Sequence, residues 1–142
     1  MADRKANASW DGSLMEGKGT VALGSGLFEG NFSFGTRMGE EPGTNPEELL
    51  GASLAGCFAM ALNANLEKSG TPASSVNTEA VVHLGKNESG FVIKGIDLSV
   101  EASVPGLDDA AFQIVAENVS KACPISKALA ATKITLHAKL AG

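Results

Sequence analysis

The chain has 142 residues, of which 44% are hydrophobic, and carries a formal net charge of -5. This length predicts a single domain over residues 1–142, because two domains of ordinary size need roughly twice as many residues. The excess of acidic side chains argues against nucleic acid and anionic membrane surfaces as partners. No apolar stretch follows the N-terminal Arg4 and Lys5, so we expect no secretory signal and a cytoplasmic location.

The first third of the chain is predicted to form a meander of short strands. Lys18–Leu23 and residues 27–34 contain strand formers and are joined by a glycine-rich turn. Residues 38–44 are rich in turn formers and predict a loop. Arg37 lies between the strand-like segment and this loop, a position where an arginine is usually a solvated surface charge.

A long helix is predicted to begin at Pro46, because Asn45 suits the cap position and Glu47 and Glu48 suit the positive first turn. Residues 49–66 contain no charge, so we expect the helix to be buried nearly all round. Its many small residues allow another backbone to approach closely. A chain of this length would struggle to surround such a helix, which predicts a homodimer. Its asparagines and glycines disfavour a membrane span.

The second half of the chain predicts a strand hairpin, two helices and a final strand. The hairpin is followed by a turn, and apolar residues then recur at spacings of three and four as in an amphipathic helix. A proline after that helix suits the first turn of a new one. The predicted elements are strands over residues 76–84 and 91–104, helices over 109–122 and 124–130, and a strand over 134–140.

The two cysteines occupy different kinds of position. Cys57 lies in the middle of the long helix, where packing in the core is its ordinary explanation. Cys123 begins a helix just before Pro124, where the positive end of the helix dipole favours thiolate. Electrostatics alone therefore predicts Cys123 as the more acidic thiol, although an unreactive cap explains it equally well.

Other kinds of site find little support in the sequence. No Cys or His pair has the spacing of a zinc site and no glycine-rich loop matches a phosphate cradle, so neither metal nor cofactor is predicted. A Cys-His hydrolase with His83 or His137 as base is an alternative, although nothing marks an oxyanion hole. A noncatalytic dimer that binds a small apolar ligand is a second alternative.

Four segments together form a known pattern: Thr36-Arg37, residues 43–52, residues 57–62 and residues 123–126. The chain resembles the family of osmotically inducible protein C and organic hydroperoxide resistance proteins over nearly its whole length, and is closer to the first branch. The resemblance implies an α+β fold with antiparallel sheets wrapped around a long buried central helix, in an intertwined homodimer.

The resemblance also implies a thiol peroxidase of oxidative and osmotic stress defence. It would reduce organic hydroperoxides, and less efficiently hydrogen peroxide, to alcohols. Matching the family pattern residue by residue makes Cys57 the attacking thiol and Cys123 the resolving thiol that closes a disulfide. It makes Arg37 and Glu47 the assisting charges, with Glu48 the less favoured carboxylate. An external dithiol, either a lipoylated protein or a thioredoxin-like protein, is implied as the reductant.

Helix geometry constrains how these residues meet. Glu47 and Cys57 are ten positions apart, which is about 15 Å along a helix axis. Two helices packed antiparallel across a dimer would bring them together, so we expect Arg37 and Glu47 of one subunit to serve Cys57 of the other. A nearby arginine lowers a thiol pKa and would reverse the ranking of the two cysteines. Apolar side chains around Cys57 favour organic peroxides: Leu50, Leu54, Phe58 and Met60.

Overall fold

The computed structural model describes residues 1–141, which divide into two compact units, residues 1–49 and residues 50–141. The predicted α+β class with one long helix is confirmed. The prediction of a single domain over residues 1–142 stays a prediction. The elements are β1 (Ala6–Asp11), β2 (Lys18–Leu23), β3 (Glu29–Phe32), α1 (Phe34–Met38), α2 (Pro46–Lys68), β4 (Ser75–Asn87), β5 (Gly90–Ser103), α3 (Asp109–Ala122), α4 (Pro124–Ala128) and β6 (Ile134–Leu140).

The first unit holds an antiparallel sheet in the order β1-β2-β3, as a meander predicts. The sequence reasoning missed the short helix α1, which lies where a strand end and a loop were predicted. Ser33 caps this helix: its hydroxyl accepts the N–H of Thr36, and the Thr36 hydroxyl accepts the N–H of Ser33. Such a reciprocal capping box starts a helix even where the preceding residues favour a strand. Arg37 therefore lies in a helical turn.

The long helix α2 begins as predicted, with the Asn45 side chain accepting the N–H of Glu48 at 2.7 Å. In the single chain only one of its faces is buried, so burial nearly all round stays a prediction that depends on a second copy of the chain. The buried side chains recur every fourth residue: Leu54, Phe58, Leu62 and Leu66. The exposed positions share the opposite side: Ala52, Ser53, Gly56, Met60 and Ala64. The elements of one chain are too few to cover both faces.

The core of the second unit lies between α2, the sheet β4-β5-β6 and α3. Strand β5 contributes every second side chain, as expected for a strand with one buried face. The inward side chains of β5 and the segment after it are Ile96, Leu98, Val100, Ala102 and Val104, and those of α3 are Phe112, Ala116 and Val119.

The second sheet is mixed, which corrects the prediction of purely antiparallel sheets. Strands β4 and β5 form an antiparallel hairpin, whereas β5 and β6 are parallel. A parallel pair needs a long crossover connection. Helices α3 and α4 supply it, because they occupy the segment between β5 and β6.

Two close contacts position the middle of α2 on β4. Gly51 is buried, and a side chain there would begin 3.4 Å from the carbonyl oxygen of Ala80. One turn later the Thr78 hydroxyl donates to the carbonyl oxygen of Ala55 at 2.9 Å. These contacts hold the turn that carries Cys57 against the sheet.

By length and composition α2 passes a test for a membrane-spanning helix. The core helix of a soluble protein passes the same test. In this chain the apolar residues of one face of α2 form the core of the second unit.

Candidate active site

An arginine–glutamate pair lies in the first unit. The Arg37 Nε atom is 3.1 Å from both carboxylate oxygens of Glu47, and its Nη2 atom is 2.5 Å from Oε1. Arg37 is in the last turn of α1 and Glu47 in the first turn of α2. Glu48 instead accepts a hydrogen bond from the Thr44 hydroxyl. Of the two candidate carboxylates, Glu47 is therefore the one that pairs with Arg37.

The two thiols lie in the second unit and meet at the start of α4. Both cysteines are free, and their sulfur atoms are within hydrogen-bonding reach of each other. Cys123 caps α4 and is 2% exposed, whereas Cys57 is only partly buried. The backbone N–H of Ile125 points at the Cys57 sulfur. Sequence positions 57 and 123 are thus brought together by the packing of α4 on α2.

Ser126 is a site residue that the sequence reasoning did not single out. Its hydroxyl oxygen lies 3.1 Å from the Cys123 sulfur, and its backbone N–H donates to the same sulfur at 3.4 Å. The serine is buried, with 6% of its surface exposed. Its position in the sequence could have indicated this contact. Ser126 is three residues after the helix cap Cys123, and the backbone N–H at that position commonly donates to the side chain of the cap.

The surroundings shift the pKa values of the two thiols in opposite directions. Burial raises the pKa of Cys57, and its hydrogen bond with Cys123 adds to this, while the N–H of Ile125 opposes it. Burial also acts to raise the pKa of Cys123, but hydrogen bonds from Ser126, Cys57 and Ile125 outweigh it and lower the pKa. These directions agree with the expectation from electrostatics alone that Cys123 is the more acidic thiol, with local hydrogen bonds as the cause.

The site therefore combines a partly accessible thiol, Cys57, with a buried thiol, Cys123, whose lowered pKa favours the thiolate form. Such a pair can exchange between dithiol and disulfide, because a thiolate attacks an oxidised sulfur held within reach. None of the groups that shift the pKa of Cys57 is a cation.

The two histidines belong to a separate cluster on strands β4, β5 and β6. The Nε2 atom of His83 is 2.6 Å from Asp97 Oδ2, and that of His137 is 3.1 Å from Oδ1. These hydrogen bonds lower the pKa of Asp97. Asp97 was missed by the sequence reasoning, although strand alternation places it on the outer face of β5. Neither histidine is among the groups that act on the Cys57 or Cys123 thiol, so nothing in residues 1–141 supports a Cys-His hydrolase.

The apolar side chains expected around Cys57 divide into two groups. Leu54 and Phe58 are fully buried in the core, so their predicted contribution to peroxide preference is wrong. A core residue packed on all sides has no surface left for a substrate. Met60 is 77% exposed and Leu50 partly so, and both can meet a ligand. Within residues 1–141, no cluster of three or more His, Cys, Asp or Glu side chains is arranged to hold a metal ion.

The fold and the paired thiols define a thiol-based redox protein of the α+β class. The family model for OsmC-like protein matches residues 39–137. The chain is 42% identical to "Peroxiredoxin OsmC" of Escherichia coli (strain K12), covering 96% of each chain. It is 36% identical to "Organic hydroperoxide resistance protein" of Xanthomonas axonopodis pv. citri (strain 306), covering 61% of this chain and 59% of the other. The OsmC-like protein from Mycoplasma pneumoniae has the same fold, with a TM-score of 0.76 at 18% identity over 99% of both chains.

The chain belongs to the OsmC-like family, and the expected placement closer to the osmotically inducible branch is confirmed by the longer and more identical match. It is a cysteine-based peroxidase.

Proposed function

We propose that this peroxidase reduces organic hydroperoxides, and hydrogen peroxide less efficiently, with Cys57 as the attacking thiol and Cys123 as the resolving thiol. The observation that carries the proposal is the reach between the two sulfur atoms at the start of α4. Cys57 is the more accessible of the two, so a peroxide can approach it more easily than Cys123. The name of the Xanthomonas relative supports an organic hydroperoxide as the substrate class.

The reaction has two steps on the protein. The Cys57 thiolate attacks one peroxide oxygen, the O–O bond breaks, and the alkoxide leaves and takes a proton to become the alcohol. Cys57 is then a sulfenic acid. The Cys123 thiolate attacks this sulfur, an S–S bond forms, and hydroxide leaves and is protonated to water. An external dithiol, a lipoylated or thioredoxin-like protein, returns two electrons to the disulfide.

A cation is needed in the first step, because burial and the neighbouring Cys123 raise the pKa of Cys57 and so disfavour its thiolate. We assign this role to Arg37, with Glu47 orienting the guanidinium. The contacts of Arg37 within residues 1–141 use Nε and Nη2, and the side chain is 39% exposed. Its Nη1 atom can therefore donate a hydrogen bond to the thiolate and then to the departing alkoxide. The hydrogen bond to the alkoxide strengthens as negative charge develops on that oxygen.

A homodimer is proposed as the working form. The uncovered face of α2 is apolar and rich in small residues, and an apolar face of this kind is stabilised when a second copy covers it. Antiparallel packing of two α2 helices would place Arg37 and Glu47 of one subunit at Cys57 of the other. We also propose the cytoplasm as location and oxidative and osmotic stress defence as the role.

Mixing two inactive variants tests the shared site. Arg37→Met and Cys57→Ser homodimers each lose activity, but a heterodimer formed from both contains one site with neither defect. After subunits are exchanged at equal amounts, half of the dimers are heterodimers with one intact site of two. About a quarter of the wild-type activity should return. If the mixture stays inactive although heterodimers are seen by mass spectrometry, the assignment of Arg37 to the other subunit is wrong.

Intact mass tests the chemistry itself. Reduced protein treated with an organic hydroperoxide should lose two hydrogens per chain as the Cys57–Cys123 disulfide forms. An unchanged mass, with both thiols still open to a thiol probe, would contradict the peroxidase mechanism. A small-ligand binder would behave in this way and would be unaffected by replacement of both cysteines.

A further inference from the structure

The hydroxyl group of Ser126 has a single hydrogen-bond partner among residues 1–141, the sulfur of Cys123. Both side chains are buried, with 6% and 2% of their surfaces exposed. A buried hydroxyl without a partner is costly, so its orientation is effectively set by this sulfur. A thiol can donate to the hydroxyl, but a thiolate can only accept from it. The contact therefore stabilises the thiolate more than the thiol.

Capping of α4 does not account for this hydroxyl. The cap function needs only the hydrogen bond from the backbone N–H of Ser126 to the Cys123 side chain, and any residue except proline at position 126 supplies that N–H. The hydroxyl adds a second donor to a sulfur that is already capped. Its effect is consistent with the lowered pKa of Cys123, to which the Ser126 side chain contributes.

We propose that Ser126 acts as a positioning residue for the resolving thiol, holding Cys123 as a thiolate that attacks the Cys57 sulfenic acid and later leaves when the disulfide is reduced. The inference rests on the proposed function. In the forward step the Cys123 sulfur gives up its charge as the S–S bond forms and hydroxide departs from Cys57. Ser126 donates a hydrogen bond throughout and neither gains nor loses a proton.

The same hydrogen bond sets the direction of the return step. The hydrogen bond that Ser126 donates stabilises the negative charge on the Cys123 sulfur as it is expelled from the disulfide, which makes this sulfur the better leaving group. Cys123 is also the more buried of the two cysteines, so an external thiol reaches Cys57 more easily. The incoming thiol therefore bonds to Cys57, and Cys123 leaves as a thiolate held by Ser126.

Rapid-quench kinetics on Ser126→Ala tests the forward step. Trapping of the Cys57 sulfenic acid should stay within about twofold of wild type, because Ser126 is not among the groups that act on the Cys57 thiol. Disulfide formation should slow by about three- to tenfold, with the pH midpoint of that step moved upward. Ser126→Thr keeps the hydroxyl and should restore most of the rate. Ser120→Ala, which removes a hydroxyl bonded to the Glu117 carbonyl oxygen, is the matched control and should behave as wild type.

A folded Ser126→Ala protein with the wild-type rate and pH midpoint overturns the inference, as does a Ser126→Thr protein as slow as Ser126→Ala. If wild-type protein itself forms no sulfenic acid or disulfide, the proposed function fails as well, so the two failures are distinguishable.

A second measurement needs no variant of Ser126. Oxidised wild-type protein is treated with a small monothiol, quenched in acid with an alkylating agent and digested for peptide mass mapping. The monothiol should be found on Cys57, with the alkyl group on Cys123. The reverse distribution overturns the proposed direction of reduction.

Discussion

The two units of the chain differ in what they bury. The first unit buries polar side chains, Thr36, Thr44 and Glu47, and leaves large apolar side chains exposed, such as Leu14, Met15 and Leu27. The buried hydrophobic residues described for this chain all come from the second unit, which also holds both thiols. The Arg37–Glu47 pair belongs to one unit and the redox centre to the other.

Under the proposed mechanism, neither unit by itself has a complete peroxidatic centre. The second unit supplies a nucleophile whose pKa is raised by burial, and the first supplies a cation already oriented by a carboxylate. Preorganised charged and polar groups supply most of the rate enhancement in many enzymes. A thiol without its cation is therefore expected to react slowly. The proposal therefore predicts that activity requires the Arg37–Glu47 pair and the two thiols to be combined in the assembled protein.

The largest effect is expected from Cys57→Ser. Removing the attacking thiol should lower hydroperoxide consumption by about four orders of magnitude or more, to the background rate. Cys123→Ser is the matched control: it should still consume one equivalent of peroxide and accumulate a sulfenic acid that a trapping reagent detects. Peroxide turnover by Cys57→Ser, or a sulfenic acid on Cys123, would reverse the assignment of the two thiols.

Comparing variants of Arg37 and Glu47 separates the role of the cation from that of its carboxylate partner. Arg37→Met should slow the first step by about 10²- to 10³-fold, because a donor to the developing charge is lost. Glu47→Gln keeps Arg37 but loosens its orientation, and we expect about a tenfold loss. Stopped-flow measurement of sulfenic acid formation compares them. Equal losses from Glu48→Gln and Glu47→Gln would contradict the pairing seen in the structure.

The open face of α2 can be tested at Gly56. A side chain there would meet no atom within 4 Å in the single chain, so Gly56→Leu fits the monomer. If a second copy covers this face, the added side chain overpacks the interface, and the dimer dissociation constant should rise about tenfold to a hundredfold. Analytical ultracentrifugation measures it. Asn118→Leu, at an exposed position on α3, is the control and should leave the constant unchanged.

The opposite pKa shifts predict how each thiol titrates. In Cys57→Ser, the thiolate absorbance of Cys123 should appear below the pH range of an ordinary thiol, because the pKa of Cys123 is lowered. In Cys123→Ser combined with Arg37→Met, that of Cys57 should appear above this range, because burial raises its pKa. Restoring Arg37 should move the Cys57 midpoint down. An unchanged midpoint would show that Arg37 does not act on this thiol.

Much of the fold follows from local sequence signals. The start of α2 was predictable because Asn45, Pro46 and the two glutamates each suit their helical positions, and β6 was predictable from its alternation. The parallel pairing of β5 with β6 was not, because alternation within a strand does not reveal the direction of its neighbour. Helix α1 was missed because its five residues form less than two turns, which is too short for apolar side chains to show a helical repeat.

The site was predictable only in part. Cys57, Cys123, Arg37 and Glu47 were named through a family resemblance, and the structure shows two pairs, one ionic and one of thiols. Ser126 was only part of the matched pattern and Asp97 was not named, and neither was given a role, because their significance depends on contacts made in the folded chain. Ser126 matters only once the Cys123 sulfur lies against it, and Asp97 only once three strands align two histidines on one carboxylate.

The smallest effect is expected at the histidines. Both rings contact Asp97 on the outer face of the sheet, where they are about half exposed. Neither ring is among the groups that act on either thiol. Exposed contacts of this kind also contribute little to stability, because water and salt screen them. His83→Asn and His137→Asn, separately and together, should therefore leave hydroperoxide consumption within about twofold of wild type in a coupled peroxidase assay. A large loss in the double variant, with sulfenic acid formation abolished, would place a histidine at the thiol after all.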